Sequence, residues 1–461
     1  MEALDTIKRR TSPGHRVWSV LTRRRILQIA WPVILSNLST PMLGLVDTAV
    51  IGHLGDPALI GAIAMGAMIF SFVFWGFGFL RMGTTGLVAQ AAGSGDHEET
   101  KAALYRAVLL GTLIGVCLLC LQSPIASVVF RIVEGSAAVK TTAATYFDIR
   151  IWSAPASLIN VSIVGFFLGL QRTRTTLVLH LVFNGTNILL DVLFVQGFGW
   201  GVAGVASASV IAEYLALALG IYFVVSHLRG SGLEFPIRRR RLLDWPALRR
   251  TLVVNRDIMV RTLCLIFAFS WFVNEGAAQG DVILASNSVL MLLVSFSAFF
   301  LDGFALTTES LVGRAVGSRD RVALREAISS SSQLAFVTAL GISLAYFLFG
   351  ELVVRLLTNV DAVHRVSEDY IGWAIAAPIV SVACYQLDGI FIGATRSREM
   401  RNAMVISLTL YLLAWWGLST PYGNHGLWAA LMVYFVARAV TLLLRLGSVV
   451  RAAEPEGDTA A

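Results

Sequence analysis

Charged residues are scarce in this chain. Asp, Glu, Lys and Arg make up 14% of its 461 residues, against about 25% in an average soluble domain. Apolar residues make up 56% of the chain, and its mean hydropathy is +0.73. This composition excludes an ordinary soluble globular protein and predicts a chain that resides in a membrane.

Cysteines and enzyme motifs are also few. Cys117, Cys120, Cys264 and Cys384 all lie within apolar stretches. The spacing of Cys117 and Cys120 occurs in metal and redox sites, but no second pair or nearby histidine completes such a site. The motifs G-x-x-x-x-G-K-S/T, H-E-x-x-H and G-x-S-x-G are absent, which argues against ATP hydrolysis by a P-loop and against an intramembrane hydrolase. We therefore expect inert buried thiols, no metal or cofactor, and no enzymatic activity.

Apolar stretches of about 20 residues recur along the chain and are long enough to cross a bilayer as helices. They are continuous and do not alternate, which favours helices over the strands of a barrel. We predict an all-α polytopic membrane protein with twelve transmembrane helices. The predicted spans lie near residues 26–52, 58–80, 104–129, 141–169, 176–197, 201–226, 258–280, 283–304, 327–354, 366–394, 402–420 and 426–447.

The second half of the chain repeats features of the first at an offset of 224 residues. This offset pairs Gly93 with Gly317 and Gly169 with Gly393, among other positions. Each half has six spans, so both halves begin on the same side of the membrane. The sequence thus predicts two six-helix lobes related by a pseudo-twofold axis along the membrane normal. The predicted division is a basic arm (1–25), an N-lobe (26–226), an inter-lobe loop (227–257), a C-lobe (258–447) and a disordered tail (448–461).

Basic residues are distributed unequally between the two sides of the predicted helices. One side holds 28 of the 36 Lys and Arg, and the opposite side holds four. The positive-inside rule places both termini and the inter-lobe loop in the cytoplasm. The run Arg238–Arg241 is accordingly interpreted as a topology signal facing anionic lipid, and not as a nucleic-acid patch. No cleavable signal peptide is expected, because the first 25 residues are polar and basic.

Acids at membrane depth are functional-site hypotheses, because a carboxylate there costs about 2.5–3.5 kcal/mol on insertion scales. Asp47 lies in the apolar segment LGLVDTAVIGHLG of the first span, and Asp191 lies at a similar depth in the fifth. Asn184, Asn187 and Asp191 share one helical face by their spacing, and Asn160 is expected to join them from the fourth span. Two close carboxylates in a low dielectric cannot easily both ionise, so one is expected to hold a proton near neutral pH. The alternative is a purely structural role for both acids.

The second half has its own acids, Glu275, Asp302, Glu309 and Asp388. The 224-residue offset does not pair them with the acids of the first half. Glu275 and Asp388 are expected to bind a cationic substrate or a coupling ion, and Asp302 is a further candidate for the substrate cavity. Glu309 is expected to reach the cytoplasmic surface. Arg81 either extends to the membrane interface or pairs with an acid.

Pro32 falls inside the first span, about four turns from Asp47. Proline removes a backbone hydrogen bond and bends a helix. Pro32 is therefore a candidate hinge on the helix that carries the acid, and the alternative is a static kink.

Several segments resemble the multidrug and toxic compound extrusion (MATE) family, in its DinF branch. They are PMLGLVDTAVIGHLG, FLRMGTTGLVAQAAGSGD, FLDGFALTTESLVGRAVGSRD and CYQLDGIFIGATRSREMRNAM. The resemblance spans residues 25–447 and implies a two-lobe antiporter that expels amphipathic, often cationic compounds against inward ion flow. It also implies that Asp47, Asn187 and Asp191 form an ion site in the N-lobe and that Pro32 is the proline at which the first helix bends. Asp388 matches a C-lobe acid of related branches, and Glu275 matches less closely.

Three functions remain open at this point. The first is a proton-coupled, or alternatively sodium-coupled, exporter of amphipathic small molecules, monomeric and located in a bacterial inner membrane. The second is a flippase for a lipid-linked glycan, which would favour an arginine-rich cleft. The third is a membrane scaffold or membrane-bound enzyme, which leaves the buried acids and the duplication unexplained. Besides substrate and the lipid bilayer, no partner is expected, and nucleic acid least of all.

Overall fold

A computed structural model describes residues 23–52, 57–133, 136–230 and 239–454. These residues are helical almost throughout, and no β-strand occurs among them. The helices of the first half are α1 (Arg23–Gly52), α2 (Pro57–Gly76), α3 (Phe79–Gly93), α4 (His97–Cys120), α5 (Gln122–Ile132), α6 (Ala137–Arg150), α7 (Ala154–Gly169), α8 (Thr173–Val192) and α9 (Gly201–Gly230). Those that follow are α10 (Arg239–Leu242), α11 (Trp245–Ala278), α12 (Asp281–Gly317), α13 (Arg321–Leu357), α14 (Asp361–Gly393), α15 (Ser397–Leu443) and α16 (Leu446–Ala452).

In the described part of the chain, nine helical stretches are long and apolar enough to cross a membrane. One of them, Ser397–Ala452, contains two of the predicted spans. They are separated within α15 by a kink at Gly423, whose φ of 54° is left-handed. The predicted number of twelve spans also requires α1 and α11 to cross, and it stays a prediction.

The helices extend further than the apolar runs. The predicted inter-lobe loop 227–257 is helical at both ends, because α9 continues to Gly230 and α11 begins at Trp245. The predicted disordered tail begins with helix α16, which covers Leu446–Ala452. Residues 1–22, which form most of the predicted basic arm, and residues 455–461 lie outside the described residues. Charged residues at the ends of helices are solvated and do not interrupt a helix. Hydropathy alone therefore predicts helices that are shorter than the observed ones.

The 224-residue offset recurs in the backbone geometry. Helices α3 and α12 end at the paired Gly93 and Gly317, and α4 and α13 begin at the paired His97 and Arg321. Three pairs of left-handed residues follow the same offset. They are Gly95 with Arg319, Gln171 with Thr395, and Gly199 with Gly423. The duplication read from the sequence is therefore also a duplication of helix ends and turns.

Helices α3 and α12 contact each other through equivalent positions of the two halves. A side-chain carbon at Gly93 would collide with the Arg314 carbonyl, and one at Gly317 would collide with the Gln90 carbonyl. When each residue is replaced by its equivalent at the 224-residue offset, one contact becomes the other. An approximate twofold axis between the two helices produces this relation. Glycine is needed at both positions because the two backbones touch.

Hydrogen bonds join the two halves at the same end of the molecule. Gln90 Nε2 donates to the Gly393 carbonyl at 2.9 Å. Arg250 Nη2 donates to Gln90 Oε1 at 2.5 Å and to Thr395 Oγ1 at 2.9 Å. This end carries the loops rich in arginine, so the two halves are tied together on the side predicted to be cytoplasmic.

Candidate functional site

A cavity of about 330 Å³ lies among α1, α3, α7, α8, α9 and α12. Its volume falls at the lower end of the range of small-molecule sites. Apolar side chains such as Val161, Leu179 and Phe183 form part of the wall. The polar lining consists of Ser36, Asn37, Arg81, Ser157, Asn160, Thr176, His180, Asn184, Glu213 and Asp302. Such a mixed wall suits a ligand that is itself amphipathic.

Asn160 and Glu213 form one polar unit on the cavity wall. Asn160 Nδ2 donates to Glu213 Oε2 at 2.8 Å and to the Glu213 backbone carbonyl at 2.9 Å. These bonds fix the carboxylate of α9 against α7. The side chain of Glu213 is 8% exposed, which leaves one edge of the carboxylate available to the cavity.

Glu213 is absent from the site residues predicted from the sequence. The signal was present, because Glu213 is the acid in the apolar segment VIAEYLALAL of the sixth span. The argument that singled out Asp47 applies to it equally, since a lone acid at membrane depth is costly. Of the predicted cavity residues, the structure brings Asn160, Asn184 and Asp302 together with Glu213.

Asp302 enters the cavity from α12, and Arg81 enters from α3. No described residue donates a hydrogen bond to the Asp302 carboxylate, so its oxygens are available to a ligand. Arg81 Nη1 lies 3.9 Å from Glu309 Oε2, which decides between the two alternatives for Arg81 in favour of an ion pair. The expectation that Glu309 reaches the surface is wrong, because its side chain is only 1% exposed.

The polar face of α8 is buried over its whole length. Asn184 Nδ2 donates to Ser39 Oγ of α1 at 2.7 Å. One and two turns further on, Asn187 and Asp191 are both 0% exposed. In the amide orientation that satisfies both neighbours, Asn187 donates to Asp191 Oδ2 at 3.0 Å and accepts from Ser209 Oγ at 3.0 Å. Asp191, Asn187 and Ser209 thus form one buried, hydrogen-bonded cluster.

Two of the predicted site residues, Asp47 and Pro32, lie in α1. The side chain of Asp47 lies outside the described residues, and its proximity to Asp191 stays a prediction. Pro32 lies buried within the continuous helix α1, and its carbonyl accepts a hydrogen bond from Ser36 Oγ at 2.8 Å. A side-chain bond of this kind favours local bending, but the hinge also stays a prediction.

The structure does not bring Asp388 or Glu275 to the cavity. The Asp388 carboxylate accepts hydrogen bonds from Arg261 and from Arg438, the latter at 2.5 Å. Arg438 Cζ also lies 5.4 Å from the ring centroid of Tyr434. Two arginines already balance the charge of Asp388, which is unfavourable for binding a cation. Glu275 is partly exposed and accepts a bond from its neighbour Asn274 at 3.3 Å.

Within the described ranges, no group of three or more His, Cys, Asp or Glu side chains is placed to hold a metal ion. The described residues give the cavity two acids, one arginine and several neutral donors and acceptors against apolar walls. It can bind and orient a charged amphiphile.

Long apolar helices around a buried polar cavity define a multi-pass membrane protein, and the sequence identifies its family. The MatE family model matches residues 32–193 and again residues 259–415. These matches cover more than half of the chain, which therefore belongs to the MatE family. The resemblance read from the sequence motifs is confirmed.

Individual relatives agree with this assignment. The chain is 41% identical to DNA damage-inducible protein F of Escherichia coli (strain K12) over 425 residues, which are 91% of each chain. It is 24% identical to the probable multidrug resistance protein NorM of Rhizobium meliloti (strain 1021), over 93% of this chain and 94% of that protein. Its fold is similar to the crystal structure of MATE in the straight conformation, with a TM-score of 0.84 and 17% identity over 96% of this chain and 99% of that one.

Proposed function

We propose that this protein is a secondary antiporter that exports amphipathic, cationic small molecules in exchange for protons. The observation that carries the proposal is the cavity in which Glu213 and Asp302 face apolar walls. A carboxylate in a low dielectric binds a cation strongly and can instead be neutralised by a proton. Proton and substrate would then compete for the same carboxylates, which is a physical basis for exchange.

The geometry supports alternating access by two lobes. The reciprocal contacts at Gly93 and Gly317, where α3 meets α12, support an approximate twofold relation between the lobes. The bonds of Gln90 to Gly393 and of Arg250 to Thr395 tie the halves together at the arginine-rich end. We propose that breaking these contacts, with rotation of the lobes about this axis, opens the cavity toward the cytoplasm.

The polar face of α8 is the proposed link between ion binding and the cavity. Asn184 lines the cavity and bonds to Ser39 of α1, and Asn187 and Asp191 continue the same helical face. Protonation of Asp191 would weaken its charge-assisted bond with Asn187. This change in hydrogen bonding would be transmitted to the cavity by α8, which carries both Asp191 and Asn184. Sodium is the alternative coupling ion, because carboxylate, amide and hydroxyl oxygens also suit a hard cation.

Cavity charge argues against the glycan-flippase alternative. Such a flippase would need an excess of arginine for an anionic pyrophosphate. The cavity has Arg81 against Glu213 and Asp302, and Arg261 and Arg438 bind Asp388 outside it. A transporter of cations is the function that this balance favours.

Transport in reconstituted vesicles tests the proposal. The purified full-length protein is reconstituted with a cationic dye, and a pH gradient or a sodium gradient is imposed separately. We expect the pH gradient alone to drive dye movement, and the exposed-acid variant Asp361→Asn to behave as wild type. Dye movement driven only by the sodium gradient would identify sodium as the coupling ion. Movement of an anionic dye alone would contradict the proposal.

A further inference from the structure

A second cleft, of about 710 Å³, opens where the first turn of α15 meets the segment that joins α15 to α16. Four arginines line it, Arg396 and Arg398 from the start of α15 and Arg445 and Arg451 from the other side. Glu399 is the one acid among the described residues of its lining. We call these residues the arginine cleft.

The charge of the arginine cleft is largely unbalanced. Arg396 pairs loosely with Glu399 at 3.9 Å. The side chains of Arg398, Arg445 and Arg451 make no ion pair or hydrogen bond with any other residue that the structure describes. Three cations held around one cleft repel each other unless an anion offsets their charge. The first backbone N–H groups of α15 also favour an anion at this end.

Exposed apolar side chains continue directly from the arginine cleft. Ile406 and Leu444 line the cleft and are 49% and 80% exposed. Leu443 and Val440 extend the same apolar surface along α15. Because α15 lies in a stretch that is long and apolar enough to cross a membrane, we infer that this surface faces lipid and that the arginines lie at the end of the hydrocarbon region. Basic clusters at this depth attract anionic lipid headgroups.

We propose that the arginine cleft binds an anionic phospholipid. Arg398, Arg445 and Arg451 would surround its phosphate, and its acyl chains would lie against Ile406 and Leu444. The apolar surface distinguishes this ligand from a soluble anion, which would use the arginines alone. The inference does not depend on the transported substrate.

The first half of the chain supplies a matched control. The 224-residue offset pairs Arg172 and Arg174 with Arg396 and Arg398, but it pairs Ile221 and His227 with Arg445 and Arg451. Arg172 and Arg174 are exposed. Replacing Arg172 and Arg174 therefore removes two charges from the equivalent turn of the first half, where no arginines correspond to Arg445 and Arg451.

Native mass spectrometry of the full-length protein tests the proposal, with phosphatidylglycerol and phosphatidylcholine of identical acyl chains as probes. We expect wild type to prefer phosphatidylglycerol and Arg398→Gln/Arg445→Gln to lose about 30-fold in affinity for it, since each basic residue near an anionic lipid contributes about fivefold. Arg172→Gln/Arg174→Gln should keep the preference. The comparison of the two lipids on wild type remains informative if a variant does not fold.

Three results would overturn the proposal. Equal binding of the two lipids by wild type would show that the cleft does not recognise an anionic headgroup. Loss of the preference in inorganic phosphate at matched concentration would assign the cleft to a soluble anion. A preference that arises only after deletion of residues 455–461, which contain Glu456 and Asp458, would identify the chain's own tail as the occupant.

Discussion

Replacing Glu213 by glutamine should weaken the binding of cations without disturbing the fold. Glutamine keeps the shape of the side chain, and its carbonyl oxygen can still accept the bond that Asn160 Nδ2 donates at 2.8 Å. Only the negative charge is lost. Because a buried charge is costly, removing the charge of this carboxylate should leave the melting temperature unchanged or raise it.

The expected loss of affinity follows from the charged hydrogen bond that a bound cation would no longer make with residue 213. A hydrogen bond to a charged group contributes about 1.5–3 kcal/mol, and about 1.4 kcal/mol corresponds to a tenfold change in affinity. Glu213→Gln should therefore weaken binding of a cationic dye about 10- to 150-fold. An uncharged analogue of the same shape should lose less than about threefold, since its binding uses the apolar wall.

The dependence on pH has a definite sign. A proton on Glu213 removes the charge that attracts the cation, so wild-type affinity should rise with pH. The Glu213→Gln protein should show a weaker pH dependence. Fluorescence polarisation of the dye and its analogue, from pH 5.5 to 8.5, measures both effects. Equal losses for the cation and the neutral analogue, or no loss for either, would refute the assignment of Glu213 to the binding site.

Three further predictions address coupling, packing and the buried ion pair. Asp191→Asn should fold and bind substrate but lose pH-driven efflux in vesicles; full efflux would remove Asp191 from the coupling site. Gly317→Ala should lower stability by about 1–3 kcal/mol in thermal unfolding, because its methyl group meets the Gln90 carbonyl. Gly341→Ala, where nothing lies within 4 Å, should stabilise by up to about 1 kcal/mol, and equal effects at the two glycines would contradict the close crossing. Arg81→Gln should lower the melting temperature by leaving Glu309 unpaired, and Arg81→Gln/Glu309→Gln should restore it; additive losses would show that the pair is not coupled.

Periodic and repeated features could be predicted from the sequence. Apolar runs of membrane-spanning length locate the helices, because each helix must bury or expose to lipid a continuous apolar surface. The offset that pairs Gly93 with Gly317 identifies positions where backbones touch, since only glycine is tolerated there. Asn160, Asn184 and Asp302 were accessible to the same reasoning, because a polar side chain at membrane depth faces the interior.

Pairing between distant helices could not be predicted. Asp388 meets Arg261 and Arg438, which lie 127 and 50 residues away, and spacing along one helix contains no information about such partners. The sequence therefore predicts a cation site at Asp388, although two arginines already offset the charge of this acid. The burial of Glu309 also depends on pairing between distant helices, because α12 continues to Gly317 and is covered there by α3.

Proton release on substrate binding tests the central claim most directly. The purified protein is placed in weakly buffered detergent solution at neutral pH with a pH-sensitive dye, and tetraphenylphosphonium, a cation that cannot itself titrate, is added. The proposed exchange predicts that wild type releases protons as the cation binds, and that Glu213→Gln and Asp302→Asn release fewer. Saturating binding of the cation without any proton release would contradict the claim that substrate and proton compete for the same carboxylates.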